Sequence, residues 1–155
     1  SPPGRSQVVN YQKKSSKIII DYAHSPEALK NILQANTFNK KKPLVLFGCG
    51  GNRDKTKRKF MGQIASKFAD KVIITDDNPR NENPKTIRSA ILKYCPNGVE
   101  IPNRRKAIIK TIKNLENKSI LIIAGKGHEK KQILANKTID FDDLKITKQT
   151  IKNVK

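Results

Sequence analysis

Asp76-Asp77-Asn78-Pro79-Arg80 places two carboxylates, an amide and a guanidinium within five residues. A free amino acid asks for that mixture: anionic acceptors for its ammonium and a forked donor for its carboxylate. The same charges could instead pair with one another in a solvated turn. The stretch follows Val72-Ile73-Ile74, an apolar, β-branched run too short for a helix, which reads as a buried strand. Pro79 pushes Asn78 out of the helical region and marks a turn.

Other loops offer chemistry of their own. Gly48-Cys49-Gly50-Gly51-Asn52-Arg53-Asp54-Lys55 can expose backbone N–H groups to an anion, with Arg53 and Lys55 close behind. A tight strand-to-helix turn explains its glycines as well. It is neither a Walker A loop nor a dinucleotide fingerprint, since G-x-x-x-x-G-K-[ST] is absent and the third Gly of G-x-G-x-x-G is missing. His24, after Asp21, could contact a ribose or base, or simply hold backbone. Glu129, four residues after Gly125, could accept from an ammonium or open a helix. No His, Cys and carboxylate cluster has metal spacing, and no Ser or Cys stands in a nucleophile setting. These loops therefore suit binding and orientation, and no protein-made metal site is expected.

The elements that must position these loops alternate in type. Strands are predicted at Ile18–Ile20, Leu44–Phe47, Val72–Ile74, weakly at Val99–Pro102, and at Ile120–Ala124. Amphipathic helices are predicted between them, with Leu29, Ile32 and Leu33 on the first, Phe60, Met61, Ile64, Ala65 and Phe68 on the second, Ile87, Ile91 and Tyr94 on the third, and Ile108, Ile112 and Leu115 on the fourth. Ser25 before Pro26, Asn83 before Pro84, and Asn103 are the expected caps. Gln132–Leu134 and Thr138–Phe141 read as a hairpin, and Asp142-Asp143 as the start of a last helix. Strand–helix alternation implies crossovers and a Rossmann-like α/β fold: a mainly parallel sheet of about six strands flanked by helices, with a small C-terminal hairpin. In such sheets ligands bind beyond the carboxyl ends of the strands. Every unusual loop lies at that edge.

Composition narrows the class. The 155 residues suit one domain, and the chain begins without Met, as a domain taken from a longer protein would. Residues 1–16 read as a linker or hinge with a short strand at Gln7–Tyr11, and residues 17–155 as the domain. Thirty-three Lys and Arg against 13 Asp and Glu give a net charge of +20. Such an excess attracts anions, and a basic nucleic-acid-binding module is the alternative it suggests. The lysines are dispersed along the chain, however, and 5 Phe, 3 Tyr and no Trp are few for base stacking. Two cysteines without framework spacing and no membrane-length apolar run point to a cytoplasmic setting and no membrane partner.

Taken together and in order, PGR at Pro3–Arg5, DYAHSP at Asp21–Pro26, FGCGGNRDKTKR at Phe47–Arg58, DDNPR at Asp76–Arg80 and AGKGHE at Ala124–Glu129 resemble the C-terminal domain of a Mur ligase. The resemblance spans nearly the whole chain. It implies an ATP-dependent amide ligase of peptidoglycan precursor synthesis, in which the carboxylate of a UDP-N-acetylmuramoyl dipeptide is phosphorylated and then attacked by an amino acid's amine. By that resemblance Arg53, Asp77, Asn78, Pro79, Arg80, Gly125 and Glu129 would bind the amino acid. Asp21, Tyr22 and His24 would face the nucleotide, and Arg5 would approach its phosphates. DNPR is the form the family shows with meso-diaminopimelate, whose distal carboxylate gives a forked Arg80 something to hold. The implied cofactors are ATP and Mg²⁺, with Mg²⁺ held mainly by a central domain this chain does not include. The implied partners are the N-terminal and central domains, and the chain alone is expected to be inactive.

Overall fold

The computed structural model describes residues 6–154. Arg5 lies outside them, with the rest of the PGR motif. Eight strands and five α-helices follow in the order β1 (Gln7–Tyr11), β2 (Ser16–Asp21), α1 (Pro26–Ala35), β3 (Leu44–Phe47), α2 (Thr56–Phe68), β4 (Val72–Ile74), α3 (Pro84–Leu92), β5 (Gly98–Glu100), α4 (Arg104–Lys113), β6 (Ile120–Ala124), β7 (Lys131–Ile133), β8 (Thr138–Asp140) and α5 (Asp143–Asn153). A six-stranded sheet has the order β1-β2-β6-β3-β4-β5, parallel throughout except for β1, and β7-β8 form a separate hairpin. The predicted Rossmann-like architecture is the observed one. The sheet already begins at Gln7, because β1 pairs along its full length with Ser16 to Ile20 of β2 and buries Tyr11.

The apolar strand runs follow from burial on both faces. Ile19, Val45, Phe47, Val72, Ile74 and Ile122 point to one side, where Leu29 and Leu33 of α1, Met61 and Ala65 of α2, and Ile87 and Ile91 of α3 cover them. Ile18, Ile20, Leu46, Ile73, Leu121 and Ile123 point to the other, beneath Ala107, Ile108 and Ile112 of α4 and Ile146 of α5. Successive residues alternate faces because the strand repeat is two. Tyr94, expected on the inner face of α3, lies beyond the helix end and is half-buried.

The three expected caps hold, and Asp142, expected at the start of the last helix, caps it as well. Ser25 accepts from Ala28 N, Asn83 from Lys85 N, Asn103 from Lys106 N and Asp142 from Lys145 N. Each such cap is worth about 1 kcal/mol.

Topology and register then build one rim. The chain steps from β2 to β3, β4 and β5 with α1–α3 on one face, and returns through α4 on the other to insert β6 between β2 and β3. Asp21 is level with Ala124, Leu46 with Ile123 and Phe47 with Ile74. Connections diverge to opposite faces on either side of β6, and this is the switch point at which open α/β sheets bind ligands.

Candidate functional site

The glycine-rich loop after β3 and the DDNPR loop after β4 are interlocked. Gly51 N donates to Asn78 O at 2.8 Å. A Cβ on Gly51 would stand 1.9 Å from Pro79 O, and one on Gly48 would stand 2.1 Å from Thr75 O. The absent side chains are thus what lets the two backbones touch. Arg58, from α2, forks onto Glu82 at 2.7 and 2.8 Å and also donates to Gly50 O at 3.1 Å. The Glu82 carboxylate also accepts from Asn52 N at 3.2 Å. The Arg58 bond holds the Glu82 carboxyl down at about 2. The N–H groups of Gly51 and Asn52 are therefore committed to protein acceptors, and Gly48 and Gly51 serve close packing. Arg53 stands exposed at the mouth of this loop, donating to Asn52 O at 3.1 Å.

Within DDNPR the two carboxylates part company. Asp76 turns back to Arg88 at 2.6 Å, and Arg88 also holds Glu100 at 2.7 Å, so Asp76 is a support and not a ligand group. Asp77 is buried, with Lys126 Nζ 3.3 Å from its Oδ1. Pro79 is buried against Gly51. Arg80 sits in the left-handed region at φ 52°, a backbone state that non-glycine residues adopt at a cost. Its N–H is held by Ile133 O at 3.0 Å, and its Nη1 donates to Gly51 O at 3.1 Å. The Nε and Nη2 donors have no partner among the described residues, and the side chain is half-buried.

Asn78 shows which of its ends faces the site. Its Oδ1 accepts from Lys126 Nζ at 2.7 Å and from Ile133 N at 2.9 Å. Only the oxygen can accept two donors, so the amide orientation is dictated by the network. Nδ2 has no partner among the described residues and is not sealed from solvent.

The β6 loop supplies the wall opposite. Gly125 (φ 115°) and Gly127 (φ 56°) bracket Lys126 and turn its side chain inward, where it is fully buried. Burial pulls its ammonium below the usual lysine range, against the opposing pull of Asp77. Glu129 is half-buried and follows a turn into β7, not a helix, so its helix-opening role is excluded. Its side chain has no hydrogen bond or ion pair among the described residues.

Beside β2 lies an aromatic shelf. Tyr22 is exposed, edge-on to His24 with ring centroids 4.6 Å apart and 6.1 Å from the ring of His128. His24 Nδ1 lies 2.8 Å from Tyr22 O; a carbonyl only accepts, so Nδ1 carries the proton and Nε2 faces outward. His24 thus holds backbone with one nitrogen and leaves the other for a ligand. Asp21 takes Ser6 Oγ and Ala23 N, each at 2.8 Å, and shapes the loop from within.

The structure gathers Asp77, Asn78, Pro79, Arg80 and Gly125 tightly, since a Cβ on Gly125 would lie 2.8 Å from Asp77 Oδ2. Sequence reasoning missed Lys126, and also Arg104. The latter is 1% exposed, forks onto Asp143 at 2.8 and 2.9 Å, and donates to Asp76 O and Ala124 O. A signal was present for each: Lys126 lies between two glycines, and Arg104 is a cation in a helix's first turn, where the dipole disfavours it.

The family model described as "Mur ligase, glutamate ligase domain" matches residues 4–127. The UDP-N-acetylmuramoyl-L-alanyl-D-glutamate–2,6-diaminopimelate ligase of Anaplasma marginale is 47% identical over 146 residues, covering 92% of this chain and 30% of that protein. A solved structure of an enzyme of the same name superposes with a TM-score of 0.87 at 35% identity, over 98% of this chain and 32% of that one. A folylpolyglutamate synthase of Mycobacterium tuberculosis, complexed with ADP and AMPPCP, shares the fold at a TM-score of 0.57 and 17% identity, over 81% of this chain and 30% of that one. The chain spans about 30% of the length of the curated relatives it matches.

Proposed function

This chain belongs to the Mur ligase family, matching its glutamate ligase domain, and from that premise we propose that it is the amino-acid-binding domain of a longer ligase. That ligase adds meso-diaminopimelate to UDP-N-acetylmuramoyl-L-alanyl-D-glutamate in peptidoglycan precursor synthesis. The observation that supports it most is the pair of uncommitted donors on one loop, Asn78 Nδ2 and the Nε/Nη2 fork of Arg80. Two directed donors suit a carboxylate.

In this proposal Arg80 and Asn78 hold the distal carboxylate, the end at which diaminopimelate differs from lysine. Arg53 adds positive charge at the mouth. Glu129 accepts an ammonium, and Asp77 can do so only by sharing its charge with Lys126. Gly125 leaves room beside Asp77. Tyr22 and the outward nitrogen of His24 face the nucleotide, with Asp21 bracing their loop; Arg5 falls outside the described residues. ATP, when bound, supplies the phosphoryl group that activates the acceptor carboxylate. In this reading Mg²⁺ is held mainly by the central domain of the longer ligase. No helix among them is long and apolar enough to cross a membrane, and a UDP-linked substrate together with two free thiols fits a cytoplasmic setting. The basic charge does not carry a nucleic-acid reading, since the relatives above are ligases and a synthase.

Titration of the ¹⁵N-labelled chain tests this. Meso-diaminopimelate should shift the Asn78, Arg80 and Gly125 signals saturably, at a concentration at least tenfold below that needed for L-lysine. Equal response to both, or none to either, overturns the reading.

A further inference from the structure

Lys126, a fully buried cation at the rim, is satisfied by groups of the protein itself. Lys126 Nζ has three partners: it donates to Asn78 Oδ1 at 2.7 Å and to Lys131 O at 2.9 Å, and it is ion-paired with Asp77 Oδ1 at 3.3 Å. They come from the DDNPR loop and from β7. The hairpin is tied to the same loop by Gln132 Nε2 to Asp77 O at 2.8 Å, Ile133 N to Asn78 Oδ1 at 2.9 Å, and Arg80 N to Ile133 O at 3.0 Å. An ammonium has three protons; two are hydrogen-bonded here and the charge is matched by the Asp77 carboxylate, so the group is satisfied from within the protein.

We infer that Lys126 is a positioning and specificity-determining residue, an internal ammonium that occupies the acceptors a ligand ammonium would otherwise claim. Two consequences follow. Lys126 pins the Asn78 oxygen inward together with Ile133 N, so that Asn78 offers a donor. It also offsets the charge of Asp77, which leaves Arg53, Lys55 and Arg80 against Asp54 and Glu129 as the loop charges outside any ion pair among the described residues: three positive, two negative. That balance suits a ligand end bearing a carboxylate and disfavours one bearing only an ammonium. With the Lys126 ammonium gone, Asp77 would be an uncompensated buried carboxylate, and a ligand ammonium would gain a place beside it.

This inference rests on the amino-acid-binding reading above, and the experiment separates the two. First, wild type is titrated with meso-diaminopimelate and with L-lysine; failure to prefer the former overturns the proposed function. Second, the Lys126 Nζ signal is recorded at low temperature and mildly acidic pH. A buried ammonium with two hydrogen bonds and an ion pair keeps its protons long enough to be seen, unlike the surface lysines. Absence of that signal overturns the Lys126 inference, whatever the ligands do. Third, Lys126→Met, verified as folded by its amide spectrum, is titrated with both amino acids. Meso-diaminopimelate should lose at least tenfold in affinity, while L-lysine loses less or gains, so the preference narrows. An unchanged preference ratio overturns the inference, because a merely structural lysine would weaken both ligands alike. If the variant does not fold, the wild-type Nζ signal decides: it should shift on saturation with meso-diaminopimelate, and a signal indifferent to the ligand overturns the inference.

Discussion

Arg80 joins a strained backbone to an open guanidinium. Its left-handed φ aims the side chain across Gly51, and Ile133 O fixes its N–H. Backbone strain at a residue whose side chain is only partly used points to function. In a full-length ligase carrying this domain, Arg80→Ala should lower kcat/KM for meso-diaminopimelate by roughly 30-fold or more. The basis is the cost of about 2–5 kcal/mol for stranding one partner of a buried charged pair, at 1.4 kcal/mol per factor of ten. Arg80→Lys should restore little, since an ammonium cannot reproduce the fork. Lysine, which has no distal carboxylate, should lose far less. Steady-state amide formation with each amino acid checks this, and equal losses would make Arg80 a support of the loop alone. Arg80 was legible in the sequence from its residue type beside Asp77, Asn78 and Pro79. The withdrawal of Asp76 was not, because its partner Arg88 lies on α3 and declares itself only when that helix docks.

At the scale of elements, the buried Arg104–Asp143 pair joins the first turns of α4 and α5 to the ends of β4 and β6. Both side chains are 0% exposed. Removing one partner leaves a buried charge alone, at a cost of about 3–5 kcal/mol. Arg104→Ala should therefore lower Tm by about 10 °C, at 2–4 °C per kcal/mol for a chain of this size. The double variant Arg104→Met/Asp143→Leu should recover most of that loss, because no charge is left unpaired. Thermal unfolding of wild type, single and double variants distinguishes the outcomes; a double variant no better than the single one would locate the defect in packing. Asp143 alone was expected at the start of α5 on dipole grounds, and it is there. That its charge serves α4 as well is a property of how the two helices cross.

For the molecule as a whole, the two thiols report on the integrity of one core. Cys49 and Cys95 are free, buried, and members of the same apolar cluster beneath α1–α3. Burial pushes the Cys49 thiol up to about 12 and raises that of Cys95 as well. Only the thiolate reacts with disulfide reagents. Neither cysteine should therefore label with a chromogenic disulfide at pH 8 in native buffer, and both should label promptly in denaturant. Rapid labelling of either one in native buffer would show that the sheet face opens locally without global unfolding.

The elements were readable from local pattern: runs of β-branched residues, helical stripes, and Ser, Asn and Asp caps depend on neighbours a few residues away. So did the gathering of the polar loops at one edge, since parallel strands joined by right-handed crossovers leave every strand-to-helix loop at the same end. Tertiary structure decided what each polar group in those loops is for. That Gly48 and Gly51 serve close packing emerged only when Thr75 and Pro79 were seen against them. Lys126 read as one more lysine in a chain of high positive charge until its ammonium was found among Asp77, Asn78 and Lys131. The physical reason is range. Propensity and capping act over a few residues, whereas the Lys126–Asn78 bond joins residues 48 apart and the Arg104–Asp143 pair residues 39 apart. Only the closed sheet brings them within the few ångströms over which a hydrogen bond exists.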